Sequence, residues 1–209
     1  RLMAEIREKE LMTRVVMLEG RAISNGKDLS FHPIIQIIKS WAGIKEEDAA
    51  DDAISKLQRG IQRVHPGALD EIFPFIATMM GYRLEGKAKE RVKGIEGEAL
   101  ENLILKNLRD LLSRAASIRP VVIVIEDAHW CDISSVIFLE SLFKLVRKQR
   151  ILFVVVARPG HAETGERISK YLDDNLKDHH LKINIEPLTE KEADELIHNL
   201  LNKVNLPEE

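Results

Sequence analysis

The chain holds one cysteine, Cys131, so no intramolecular disulfide can staple it and the fold must rest on packing. That cysteine usage fits a reducing, cytoplasmic setting. No apolar run approaches the ~18 residues of a membrane-spanning helix, so no transmembrane span and no membrane partner are expected. The opening residues RLMAEIREKE lack the apolar core of a signal peptide. They also lack an initiator Met, and a longer parent chain is expected. A basic excess is missing as well. The 31 Lys and Arg residues stand against 34 Asp and Glu, for a net charge of −3, and no basic stripe is present, so direct nucleic-acid binding is not expected. Internal repeats and low-complexity segments are absent. What remains is 209 residues of ordinary apolar content, enough for one sizeable α/β domain with or without a small helical appendage.

The first half of the chain patterns mainly as helix. Residues 1–12 form an amphipathic helix with Leu2, Met3 and Ile6 on one side. A short strand spans Val15 to Leu18, followed by a polar loop through Asn25-Gly26. Pro33 opens a helix to about Ala42, with Ile34, Ile37, Ile38 and Trp41 on its apolar face. The acidic run EEDAADD at 46–52 lacks the Gly-punctuated spacing of a calcium loop and reads as a solvated loop and helix start. Helices follow at 53–64 and 69–82. The charged stretch from Arg83 to Gly97 is the best candidate for a mobile loop. A long helix from Glu98 to Ala116 carries Leu100, Leu103, Ile104, Leu108, Leu111, Leu112 and Ala115 at 3.6-residue spacing.

From Pro120 the texture becomes strand–helix alternation. Strand 121–125 leads to a helix near 134–148, then to a strand Ile151–Val156 that ends in Ala157-Arg158-Pro159-Gly160. A short helix at 164–176 and a third strand, Leu181 to Ile185, come next. Thr189 and Glu192 form a capping box for a last amphipathic helix that carries Leu196, Ile197, Leu200 and Leu201. Such alternation predicts a parallel sheet covered on both faces, with the helices at 34–82 as an insertion.

The chemistry concentrates in VVIVIEDAHWCD, residues 121–132. Val121 to Ile125 are all β-branched, a run too short for a helix and typical of a strand buried on both faces. It ends in adjacent carboxylates, Glu126 and Asp127, followed by His129, Trp130 and Asp132. Acids at the carboxyl edge of a buried parallel strand sit in the crevice where α/β proteins bind ligands. A Walker B element presents carboxylates to a magnesium–nucleotide complex at that same place. The plainer reading is a strand and a turn with Asp132 as the cap of the next helix. Two adjacent carboxylates repel, however, and need compensation. Arg158, at the end of the neighbouring strand, can compensate them or bind a terminal phosphate with its planar fork.

Other readings of these residues are weaker. A metal hydrolase built on His129, Glu126, Asp127 and Asp132 lacks a second clustered His, and His179-His180 read as loop residues. His129 can orient an acid or a water, or make a structural hydrogen bond. Trp130 reads as packing. Cys131 beside the acids reads as a spacer with a raised thiol pKa.

Taken together, RPVVIVIEDAHWCDISSVIFLESL resembles the Walker B region of the signal-transduction ATPases with numerous domains (STAND), a class of P-loop NTPases. It is especially similar to the ATPase modules attached to bacterial class III adenylyl cyclases, serine/threonine kinases and large LuxR-type regulators. ILFVVVARPG resembles that family's sensor strand, and INIEPLTEKEADELIHNLL its following strand and lid helix. LEGRAISNGKDLSFHPIIQII is similar to the second strand and the segment after it. The resemblance covers nearly the whole chain. It implies an α/β fold with a parallel P-loop NTPase-like (ASCE) sheet flanked by helices. An incomplete core would span 1–188, with a helical insertion at about 33–97, and a helical lid would begin at 189–209.

The resemblance also implies roles. Glu126 takes the magnesium-side position, Asp127 orients and activates the attacking water, and Arg158 is the sensor arginine near the γ-phosphate. The cofactors are then ATP and Mg2+, and the partners ATP or ADP and an attached effector domain, whether cyclase, kinase or regulator. Family members carry GxxGxGK[ST] directly before a helix that begins Arg-Leu, whereas this sequence begins Arg1-Leu2. The expectation is a chain truncated just after Walker A, without the phosphate cradle and without the strand between Arg158's strand and 181–185, and so unable to bind ATP by itself. Rearrangement or self-association would then fill the gap. The alternative is a non-catalytic scaffold or oligomerisation module.

Overall fold

A computed structural model describes residues 14–24 and 30–201. The chain divides into two units, 1–179 and 180–209. Among the described residues of the first unit, three parallel strands, β1 (Val16–Arg21), β2 (Val121–Glu126) and β3 (Ile151–Val155), lie in the order β1-β2-β3. The most apolar strand takes the centre because only there are both faces and both edges shielded. Val121, Ile123, Val124 and Ile125 are accordingly buried. The register pairs Val16 with Val121 and, at the far end, Arg21 with Glu126. On the other side it pairs Val121 with Ile151 and Ile125 with Val155. Since both pairings are parallel, all three C-terminal ends open on one rim.

Helices pack around this sheet. α1 (His32–Ala42) starts with Pro in its first turn, ends at Gly43 with φ +67° and buries Ile34, Ile37 and Ile38; proline suits a helix start and glycine a left-handed stop. It lies so close to β1 that an ideal Cβ on Gly20 would stand 2.3 Å from the Pro33 carbonyl oxygen. Glycine is required there for close approach. α2 (Ala50–Val64) buries Ala53, Leu57 and Ile61 at helical spacing. α3 (Leu69–Met79) is apolar nearly all round, burying Ile72, Phe73, Phe75, Ile76 and Ala77, as a helix inside a core must be.

The stretch expected as a mobile loop is different in the structure. Residues Gly86–Val92 form a short helix, α4, and Gly97–Ile118 form the long helix α5. Leu84, Ala88 and Val92, spaced by four, pack against the core. Intervening lysines and arginines hide that spacing in the sequence. β1 is also longer than expected and shifted, Val16–Arg21 rather than Val15 to Leu18. After β2 come a 3-10 turn (Ala128–Trp130), α5's neighbour α6 (Ile133–Phe143), a second 3-10 turn (Lys144–Arg147), β3 and α7 (Gly165–Asn175). The expected helix at 1–12 and the Asn25-Gly26 loop lie outside the described residues.

In the second unit, α8 (Glu190–Leu201) has the expected capping box. The Thr189 N–H and hydroxyl donate to Glu192 Oε2 at 2.8 and 2.7 Å, and the Glu192 N–H returns to Thr189 Oγ1 at 3.4 Å. These bonds hold the Glu192 carboxyl below its ordinary pKa. The strand expected at Leu181 to Ile185 does not form. Leu181, Ile183 and Ile185 are 81%, 73% and 86% exposed. Apolar alternation supplies only the side-chain pattern, whereas a strand also needs a neighbour for its backbone groups. Among the described residues no helix is long and apolar enough to cross a membrane.

Candidate functional site

The rim site begins with an abrupt exit from β2. Asp127 has φ 53° and ψ 36°, the left-handed region, which Asp tolerates better than most side chains. This turns the chain out of the strand directly after Glu126. The Ala128 N–H then donates to the Val156 carbonyl at 2.8 Å, tying the turn to the end of the β3 ladder. Asp132 caps α6, accepting the Ser135 N–H at 2.8 Å, as the sequence indicates. The next helix is thereby fixed, and the acid turn is held at both ends.

The two carboxylates face the rim with side chains 34% (Glu126) and 38% (Asp127) exposed. Their counter-charge is Arg21, not Arg158. Arg21 is the β1 residue in register with Glu126. Its Nε lies 3.2 Å from Glu126 Oε2 and 3.6 Å from Asp127 Oδ2, and its Nη2 contacts the same Glu126 oxygen. Hydrogen bonding and attraction to Glu126, then attraction to Asp127, push the Arg21 guanidinium pKa up. With Arg21 itself 61% exposed, the pair contributes little stability. Its effect is to balance two acids that would otherwise repel. Sequence reading missed Arg21 because nothing but the strand register brings a residue 105 positions away onto the acids.

Arg158 stands on the same rim, in the exposed loop after β3, and no ion pair joins it to either acid among the described residues. Its backbone N–H donates to His129 Nδ1 at 3.3 Å. His129 is 1% exposed, with its ring centroid 5.0 Å from Trp130 and 4.8 Å from His161. Burial first, and the neighbouring His161 second, lower its pKa. The plain structural role weighed for His129 is therefore present, and Trp130 packs in the same cluster. Cys131 is buried, and burial followed by Asp132 pushes its thiol up to about 12. It is an inert spacer.

The donor set suits one kind of ion. Among the described residues no group of three His, Cys, Asp or Glu is placed to hold a metal. Two rim carboxylates do fit a hard cation that completes its shell from phosphate oxygens and water, as magnesium does. A near-match to a phosphate loop, Gly81-Tyr-Arg-Leu-Glu-Gly86-Lys87-Ala88, is not one. It ends in Ala where a hydroxyl is needed and follows helix α3 rather than a strand. A groove along α7 lined by Glu140, Glu166, Arg167 and Tyr171 includes neither acid.

Comparison with known proteins gives a consistent result. The family model described as "AAA ATPase domain" matches residues 1–155. An uncharacterized protein of Rhizobium meliloti (strain 1021) is 27% identical over 166 residues, covering 78% of this chain and 15% of that protein. The chain thus spans about a seventh of the length of this relative. No solved structure matches the chain.

Proposed function

Since this chain belongs to the AAA ATPase domain family, we propose that it is the magnesium- and water-handling part of an ATP-hydrolysing switch module in a cytoplasmic multidomain signalling protein of the STAND class. The observation that carries the reading is the rim. Adjacent acids end the central strand, and an arginine without an ion pair to them stands in the loop after the neighbouring strand. Glu126 and Asp127 would hold the magnesium of Mg–ATP, which supplies charge neutralisation at the phosphates and the γ-phosphoryl group to be transferred.

Asp127 orients the attacking water and accepts its proton. Asp127 follows Glu126 directly, in a left-handed turn with φ 53°. Arg158 meets charge that develops on the terminal phosphate. Arg21 screens the acids from each other while they are empty. In this reading the core runs through 188 and the lid begins at 189. ATP or ADP occupancy of the core controls an attached cyclase, kinase or transcription regulator.

Residues 1–209 contain no complete GxxGxGK[ST], so the phosphate cradle has to come from elsewhere. Calorimetry is expected to show negligible Mg–ATP binding by residues 1–209, and measurable binding once they are joined to a segment carrying that motif. Micromolar binding by residues 1–209 alone would overturn this assignment. In the joined protein, Asp127→Asn is expected to abolish hydrolysis while leaving ATP bound. Turnover indifferent to Asp127 would instead mark a non-catalytic scaffold.

A further inference from the structure

We propose that His129 is the positioning residue that sets the Arg158 loop against the acid turn, acting through its imidazole Nδ1. The β2–β3 ladder runs out at two bonds, the Val156 N–H to the Ile125 carbonyl at 2.9 Å and the Ala128 N–H to the Val156 carbonyl at 2.8 Å. Beyond them the strands diverge into separate loops. Among the described residues, the next link is the Arg158 N–H to His129 Nδ1, 3.3 Å. A single side-chain acceptor therefore holds the backbone of Arg158, two residues past the last ladder bond, to the turn that carries Asp127.

The same residue gathers a third segment. The His129 carbonyl accepts the Thr164 hydroxyl at 2.8 Å. At Gly165 an ideal Cβ would stand 3.1 Å from Ala157 Cβ, 3.5 Å from the Arg158 carbonyl oxygen and 3.5 Å from His129 Cβ. The acid turn, the Arg158 loop and the start of α7 thus meet at His129.

The hydrogen-bond accounting distinguishes a positioning role from packing. Because Nδ1 accepts, the ring proton sits on Nε2. Nε2 is buried and has no hydrogen-bond partner among the described residues. A buried unpaired donor is unfavourable, so an apolar ring would serve better if filling space between Trp130 and His161 were all that this position required. What an apolar ring cannot do is accept the Arg158 N–H. The cost at Nε2 accompanies the gain at Nδ1, and that gain is the placement of Arg158.

The link between placement and turnover rests on the functional reading above, whereas the placement itself does not, so two measurements separate them. In the 209-residue chain, imidazole 15N shifts are expected to show the Nε2–H tautomer. The Arg158 amide is expected to exchange about fivefold faster or more in His129→Phe and His129→Gln, the change that loss of one ordinary hydrogen bond produces. His129→Asn places Oδ1 where Nδ1 stood and is expected to restore protection. Equal protection in wild type and His129→Phe would overturn the proposal. Should His129→Phe not fold, the Asn–Gln contrast decides, and equal exchange in those two would overturn it.

In the protein joined to a complete phosphate loop, kcat for ATP hydrolysis is expected to fall in His129→Gln with KM little changed, and to recover in His129→Asn. Unchanged kcat would overturn the link to chemistry. Absence of hydrolysis in the wild type would overturn the functional reading and leave the exchange result to stand for the placement.

Discussion

Replacing Gly20 by Ala tests how closely the rim is tied to the helical layer. An ideal Cβ there would stand 2.3 Å from the Pro33 carbonyl oxygen and 2.9 Å from Ile37 Cγ1. Real Cβ contacts essentially never fall below 3.0 Å, so β1 and α1 must part by about 0.7 Å at this point. The obstacle is a carbonyl in the first turn of a helix, not the tip of a flexible side chain. α1 cannot tilt away without lifting Ile34, Ile37 and Ile38, which are 1%, 2% and 0% exposed. Overpacking of a filled region is destabilising by about 1–3 kcal/mol, and a backbone obstacle places Gly20→Ala toward the upper end. Reduced freedom of the unfolded chain offsets roughly 0.4–1 kcal/mol. The net expectation is about 2 kcal/mol of destabilisation, a large share of the ~5–15 kcal/mol of a typical domain.

Gly60→Ala is the control. Its Cβ would meet the Trp41 ring first, at 3.0 Å, and a helix interior favours Ala by about 0.5–1 kcal/mol. That variant should fall within about 1 kcal/mol of wild type. Urea unfolding of both, with unchanged slopes, measures the contrast. If Gly20→Ala melts within about 0.5 kcal/mol of wild type, or Gly60→Ala is the worse of the two, the close approach of β1 and α1 is not as described.

Two further outcomes are expected. Arg21→Gln removes the cation that competes for the Glu126 and Asp127 oxygens, so Mn2+ binding followed by EPR should tighten about two- to fivefold, the range an exposed ion pair sets; equal or weaker binding would show that Arg21 does not compete. Cys131, with a thiol pushed from an ordinary 9.0 to about 12, should label with a disulfide reagent at pH 8 about a thousandfold more slowly in the native chain than in urea, because the thiolate is the reactive form. The native chain holds this proton more tightly than the unfolded one, so the associated stability is intact below pH 9.0 and lost as pH rises toward about 12. Rapid native-state labelling would contradict the burial of Cys131.

Much of the frame was legible because it is written locally. The β-branched run at 121–125, the acids that end it, the Asp132 cap and the Thr189–Glu192 box each need only a few consecutive residues to be recognised. Where local pattern met long-range requirement, reading by pattern failed. Residues 84–92 carry a helical spacing of Leu84, Ala88 and Val92 masked by charge, and the helix Gly86–Val92 is secured by packing on the core. Leu181, Ile183 and Ile185 carry a strand's alternation and form no strand. Parallel pairing sets Arg158 in the loop after β3, but the counter-charge to the acids comes from Arg21.

By itself the sequence determined which strand is most apolar, where its acids lie, and the alternation that demands a parallel sheet. These are nearest-neighbour properties of period 2 or 3.6, and the chain carries them wherever it goes. Only the tertiary structure decided register. Setting Arg21 opposite Glu126 brings a guanidinium onto carboxylates 105 residues away, and ending the β3 ladder at Val156 leaves the Arg158 amide to His129. A helix satisfies its backbone within itself, so its residues announce it. A strand completes its hydrogen bonds only through another strand, and which side chains meet at the rim is settled when those partners pair.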